Sequence, residues 1–337
     1  MDKKALETTA KALVADHKGI LAADESTSTI GKRFQGVGVE STETNRRDYR
    51  HLLFTTPQAA KSISGVILYD ETLRQKAPDG TPLPKLLEGL GIIPGIKVDT
   101  GAKDMPNFPG EKITEGLDNL DKRLAEYHGL GARFTKWRAV ITIGPGTPTY
   151  GNLHANAHAL ARYAALAQEA GMVPIVEPEV LMDADNSIDE CERVTADAWR
   201  EVFHELFVMG VHLPGILLKP NMVIAGKKHA RPSPPQEVAE RTVKLLRQYV
   251  PPAVPGIVFL SGGQTPEQAT DHLRLMNRMG SNPWALSFSY GRALQDAALK
   301  AWSGKPANVK TAQEAFRKAA TANSAAAAGK AVTEIKV

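Results

Sequence analysis

Eight times along the chain a short apolar run leads into polar or charged residues, and the segments between the runs carry the 3.6-residue periodicity of amphipathic helices. The runs are Gly19–Glu25, Gly65–Tyr69, Gly95–Asp99, Phe134–Val140, Val173–Glu179, Gly215–Val223, Gly256–Gly262 and Trp284–Tyr290. They are apolar along their length instead of alternating, so as strands they must be dry on both faces. A parallel sheet wrapped by helices provides that environment.

Helix start signals support the rhythm. Ser187 with Glu190, Ser233 and Pro234 with Gln236, and Thr265 and Pro266 with Gln268 each read as a capping device before an amphipathic stretch. An open doubly wound sheet is the rival arrangement. It is disfavoured because no Gly-x-Gly-x-x-Gly turn follows the first strand, and because polar residues gather at the C-terminal ends of many strands instead of in one crevice. The expectation is a single-domain α/β (β/α)8 TIM barrel over about 19–300, preceded by an N-terminal helix and followed over about 301–337 by a C-terminal helix and a tail. A length of 337 residues suits such a barrel, and no Pro/Gly/Ser linker divides the chain.

Within this frame the charged residues need a reason. Lys219 closes an apolar run bounded by Gly215 and Pro220. It is either a strand-end lysine with its head in water or a desolvated amine able to attack a carbonyl. Residues two apart on a strand share a face, which pairs Lys136 with Arg138 and Glu177 with Glu179. Each pair could be a structural ion pair. Asp24, Lys97, Lys136, Arg138, Glu177, Glu179 and Lys219 come from five different strands, however, and their convergence on one barrel mouth favours a site. Ser261-Gly262-Gly263 after the seventh run and Ser289-Tyr290-Gly291-Arg292 after the eighth suit a phosphate, held by backbone N–H groups and a guanidinium. The Walker Gly-Lys-Ser/Thr ending is missing, which excludes that class of nucleotide site.

Other classes find little support. The net charge of +4 is spread along the chain, so no basic stripe points to nucleic acid. Cys191 is the only cysteine, which rules out an intrachain disulfide and fits a reducing compartment. No window approaches the roughly 20 apolar residues of a membrane span, and Met1–Glu7 carries no targeting signature; a cytoplasmic protein without membrane partners is expected. His154 and His158 have i, i+4 spacing, but the zincin glutamate is absent. They read as a solvated helix face, so neither metal nor cofactor is expected.

Taken together, Leu21–Thr27, Gly95–Asp99, Lys136–Arg138, Val176–Glu179, Leu217–Val223, Phe259–Gln264 and Phe288–Leu294 resemble the class I, Schiff-base fructose-1,6-bisphosphate aldolases. The resemblance implies a lyase of glycolysis and gluconeogenesis in which Lys219 forms a Schiff base with a sugar phosphate. It further implies that Glu177 is the acid/base for loss of water, that Lys136 favours the free amine of Lys219, that Asp24 takes the hydroxyl proton and that Glu179 supports the network. Ser261, Gly262 and Arg292, with Ser289 and Gly291, would hold one phosphate; Ser26, Arg33, Lys97 and Arg138 are candidates for the rest of the substrate. A homotetramer is implied as well.

Two departures stand out. Ser28 replaces the glycine common in the Asp-Glu-Ser-Thr loop, and no tyrosine follows Tyr290, whereas many relatives end in one that assists proton exchange. The second leaves open how the enamine is reprotonated and how strongly the bisphosphate is preferred to fructose 1-phosphate. A Schiff-base enzyme for the monophosphate and a non-catalytic sugar-phosphate scaffold are the alternative readings.

Overall fold

The computed structural model describes residues 1–331. Eight parallel strands close into a barrel: β1 (Gly19–Ala23), β2 (Ile63–Leu68), β3 (Ile93–Lys97), β6 (Phe134–Ile141), β7 (Val173–Val180), β8 (Leu217–Leu218), β9 (Gly256–Phe259) and β10 (Ala285–Tyr290). Between β3 and β6 an antiparallel hairpin of β4 (Gly101–Asp104) and β5 (Lys112–Glu115) stands apart from the barrel sheet. Helices cover the outside, and Val309–Ala327 packs against helices Arg292–Trp302 and Pro266–Arg278. The alanine-rich stretch from Ala319 is thus largely helix, with Ala320, Ala325 and Ala326 buried. The expected tail beyond residue 331 lies outside the described residues.

The bottom of the barrel explains the glycines that head several strands. Helix Lys3–Leu13 lays Leu6, Ala10 and Leu13 across the N-terminal mouth, where they join Ile20, Ile67, Phe134, Ile175, Leu217 and Val258 in one apolar cluster. Space there is fully used. A β-carbon on Gly65 would lie 2.7 Å from Leu13, one on Gly256 2.6 Å from Val14 and one on Gly19 2.6 Å from the ring of Phe288, while one on Gly95 would overlap the ring of Phe134. The interior is therefore a packed core with no through-channel, and the opposite, C-terminal end is where a ligand can enter.

Local detail departs from expectation in three places. The sixth run is a strand only at Leu217–Leu218, entered from the 3-10 turn Leu213–Gly215. Pro220 has no N–H to continue the ladder. Lys219 still donates its amide to the Val176 carbonyl at 2.8 Å, which keeps it in register at the barrel rim. Second, the capping boxes at Ser187 and Thr265 are complete. At Ser233 no box forms: helix Pro235–Tyr249 starts behind Pro234 as its cap, and the Ser233 hydroxyl accepts the Ala225 amide instead. Consecutive prolines place the first helical turn one residue beyond the serine's reach. Third, the β4–β5 hairpin is absent from the sequence reading, because its four-residue strands are mostly polar and the one residue they bury, Thr114, is too little to produce a hydrophobic pattern.

Gly95→Ala is expected to destabilise the fold by about 1–3 kcal/mol, the usual cost of overpacking a filled core. Chemical denaturation measures it, and Phe134→Leu added to the same chain should recover part of the loss.

Candidate active site

A cavity of about 860 Å³ opens at the C-terminal end of the barrel, and every residue singled out above for catalysis or phosphate binding lines it. At its floor is a chain of four ionisable groups from four strands or strand ends. The Lys136 ammonium lies 2.6 Å from Asp24 Oδ2 and 3.5 Å from Glu177 Oε2; the other Glu177 oxygen, Oε1, lies 3.3 Å from the Lys219 ammonium. Lys136, Glu177 and Lys219 are each no more than 4% exposed, so water does little to screen the chain.

Burial alone would depress the Lys136 ammonium, but Asp24, Glu177 and Asp99 together push it well above the usual lysine range. Burial would likewise raise Asp24, and the charges of Lys136, Lys219 and Lys97 overcome that and hold its carboxyl far below the usual range. Lys136 and Asp24 are thus a fixed ion pair at neutral pH. Lys219 differs in having Glu177 as its one carboxylate partner, whereas Lys136 has two.

One layer up, the Arg138 guanidinium is bound to Glu179 through Nε, and burial, which would lower it, is outweighed by that carboxylate. Lys97 donates to the Asp99 carbonyl at 2.7 Å and is paired with the Asp99 carboxylate, which also accepts the Arg138 amide at 3.2 Å. Asp99 was absent from the expected site. The alternation that pairs Lys136 with Arg138 also puts Asp99 on the face of Lys97, so the signal was available. Lys32 and Lys103 also reach the cavity, from a helix and from the hairpin, and nothing in their local sequence marks them.

Groups suited to an anion sit around the rim. Ser26 caps helix Thr27–Gln35, and Ser28, the departure noted above, bonds the Ser26 hydroxyl at 3.1 Å without disturbing that helix. The turn Ser261–Gln264 is closed by a 3.0 Å amide-to-carbonyl bond and needs Gly263 at φ +74°, a conformation costly for other residues. Gly262 lies against Leu260 and Glu179, so a side chain there would fill the approach to the turn. The Ser289 hydroxyl is buried in the cavity wall without a hydrogen-bond partner, and Arg292 opens helix Arg292–Trp302 with no ion pair among the described residues. Arg33 is held by Glu25 at 2.5 Å, and its Nη2 comes within 3.9 Å of the β-carbon position of Gly291. It therefore stands beside the β10 loop, in the same cavity as Lys97 and Arg138.

Such a floor suits a carbonyl substrate attacked by an amine, with a carboxylate at hand to move protons and anion-binding groups above. Comparison with known proteins agrees. The family model for glycolytic class-I fructose-bisphosphate aldolase matches residues 5–336. A probable fructose-bisphosphate aldolase class 1 of Xanthomonas campestris pv. campestris is 56% identical over 331 residues, covering 98% of this chain and 99% of the relative. The cytosolic fructose-bisphosphate aldolase 6 of Arabidopsis thaliana is 52% identical, covering 93% and 87% respectively. Among solved structures, the Plasmodium falciparum fructose-bisphosphate aldolase, in a complex with TRAP and a small-molecule inhibitor, superimposes with a TM-score of 0.96 at 50% identity, covering 98% of this chain and 95% of that one. With a closed parallel barrel and a family match running nearly its whole length, the chain belongs to the class-I fructose-bisphosphate aldolase family and is a lyase.

Proposed function

We propose that this chain reversibly cleaves D-fructose 1,6-bisphosphate into dihydroxyacetone phosphate and D-glyceraldehyde 3-phosphate through a Schiff base on Lys219. The observation that carries the reading is the Glu177 carboxylate shared between Lys219 and Lys136 in a buried floor. Glu177, 3.3 Å away, takes a proton from the Lys219 ammonium; the freed amine adds to the C2 carbonyl, and Glu177 returns that proton to the departing hydroxyl so that the carbinolamine loses water to give an iminium. The iminium withdraws the C3–C4 bonding electrons once the C4 hydroxyl proton is removed, which frees the aldehyde and leaves an enamine. Protonation at C3 and hydrolysis return the ketone and the free amine.

Asp24 is the acceptor of the C4 hydroxyl proton in this scheme. Its bond to Lys136 lowers its basicity, so the transfer requires that pair to slacken as the substrate enters, after which Asp24 holds the proton. Ser261, Gly262, Ser289, Gly291 and Arg292 supply anion donors at one end of the cavity, with Arg33 beside them. Lys97 and Arg138, flanked by Ser26, serve the other end, while Glu179 fixes Arg138. Cations at both ends support a bisphosphate over a monophosphate. The position of a terminal tyrosine would fall outside the described residues, and the chain has none after Tyr290.

A homotetramer in the cytoplasm completes the proposal. The exposed Phe207 (83%) and Val208 (58%) at the end of helix Ile188–Val208 support a subunit contact. The cytosolic name of the Arabidopsis relative supports the compartment. Among the described residues no helix is long and apolar enough to cross a membrane.

Borohydride added with dihydroxyacetone phosphate should fix one adduct per chain on Lys219, found by peptide mass mapping; full activity in Lys219→Met would exclude the mechanism. The pH behaviour follows from the signs of the shifts. Asp24, held below its ordinary 3.8, contributes stability above that value and loses it as pH falls through the lower folded value. Lys136, raised above 10.5, contributes below that value and loses it as pH rises through the higher folded one. Neither group changes charge between about pH 5 and 9. Lys136→Arg should thus keep the shape of the pH–rate profile, and Lys136→Met should lower kcat by about 10²–10⁴. Light scattering should return four times the 36.4 kDa chain mass.

A further inference from the structure

Away from the barrel mouth, two neighbouring helices face each other with a histidine pair and a glutamate pair at one-turn spacing. His154 and His158 stand on helix Tyr150–Glu169, and Glu201 and Glu205 on helix Ile188–Val208. His154 Nδ1 lies 2.8 Å from Glu201 and 3.5 Å from Glu205; His158 Nδ1 lies 2.8 Å from the second oxygen of Glu205. One ligand atom each from His154, Glu201 and Glu205 falls within 4.8 Å of the others. The solvated histidine face expected from the sequence is thus half-covered, since its partners are long-range in sequence and could not be seen from the i, i+4 spacing.

The charge balance at this cluster is unusual. The Glu205 side chain is only 5% exposed, and among the described residues no lysine or arginine pairs with Glu201 or Glu205. Once the imidazoles are neutral, nothing opposite balances two carboxylates, one of them buried. The stacked rings of Tyr150, His154 and His158, with centroids 5.7 and 6.4 Å apart, hold the imidazole planes in order, and the Tyr150 hydroxyl donates to Glu201 at 3.3 Å.

We propose that His154, Glu201 and Glu205 form a binding site for a divalent transition cation of the zinc type, with His158 steadying Glu205 or entering as a fourth ligand. Imidazole with carboxylate is a donor set suited to Zn2+, and facing one-turn pairs on packed helices are a usual way to build such a site. Tetrahedral bonds of about 2 Å put ligand atoms about 3.3 Å apart, so the 2.8 Å contact of His154 with Glu201 would open slightly, the 3.5 Å contact with Glu205 already fits, and the cluster as a whole, within 4.8 Å, is close to that size. The site lies outside the catalytic cavity. Its role is mechanical: one helix follows β6, which carries Lys136 and Arg138, and the other follows β7, which carries Glu177 and Glu179, so a bound cation ties together the elements behind the floor of the active site.

The test is titration of the EDTA-treated full-length chain with Zn2+ alone, followed by calorimetry and by thermal unfolding. One saturable equivalent per chain is expected, together with a rise in the unfolding midpoint. His154→Ala and Glu201→Gln, both at the surface end of the cluster, should weaken uptake about tenfold or more and abolish the rise, while His229→Ala on a separate loop leaves both intact. Circular dichroism of the metal-free variants establishes that they are folded. Absence of a saturable equivalent, or equal affinity in wild type and His154→Ala, would overturn the proposal.

Discussion

One carboxylate shared by two buried lysines organises this protein. Glu177 touches Lys136 with one oxygen and Lys219 with the other, and Asp24 takes the far side of Lys136. Removing either lysine would leave an uncompensated buried charge, and removing Glu177 would set two cations against each other across a dry gap. The four groups thus constrain one another, and through them the strands β1, β6 and β7 and the end of β8 are tied at the top of the barrel.

That arrangement rests on a rigid base. Side chains of the N-terminal helix and the rings of Phe134 and Phe288 fill the lower interior so fully that several strand starts have room only for glycine. A side chain held within half an ångström of its working position needs such a support, because slack below would be passed upward along strands only a few residues long. The packing at one end and the chemistry at the other are therefore two demands on the same eight strands.

Much of this was legible in the sequence, for physical reasons that differ by residue. Strands dry on both faces write continuous apolar runs, so all eight were found, and charged residues at their ends stand out against that background. Lys219, Lys136, Glu177 and Asp24 were visible in this way. Asp99 followed the same two-residue rule and was passed over. Lys32 and Lys103 gave no signal, since a cation on a helix or a polar hairpin looks like solvated surface until the fold turns it inward. The position of Arg33 beside Gly291 was equally hidden, because it depends on the closure of β1 against β10 across the full length of the barrel. Pairings of this kind, such as His154 with Glu201, belong to tertiary structure alone.

The helix that seals the lower mouth also orders events in time. Its socket includes Gly65, close to it in sequence, and Gly256, opposite Val14 near the far end of the chain. As the chain leaves the ribosome, the plug is made before any barrel strand, yet it cannot seat until β9 exists to receive it. Closure of the barrel, burial of the plug and assembly of the floor that needs β1 beside β6 to β8 then become a single late event. A half-made chain can hold helices and strand pairs, but Lys219 has no enclosed site until β10 has joined the barrel.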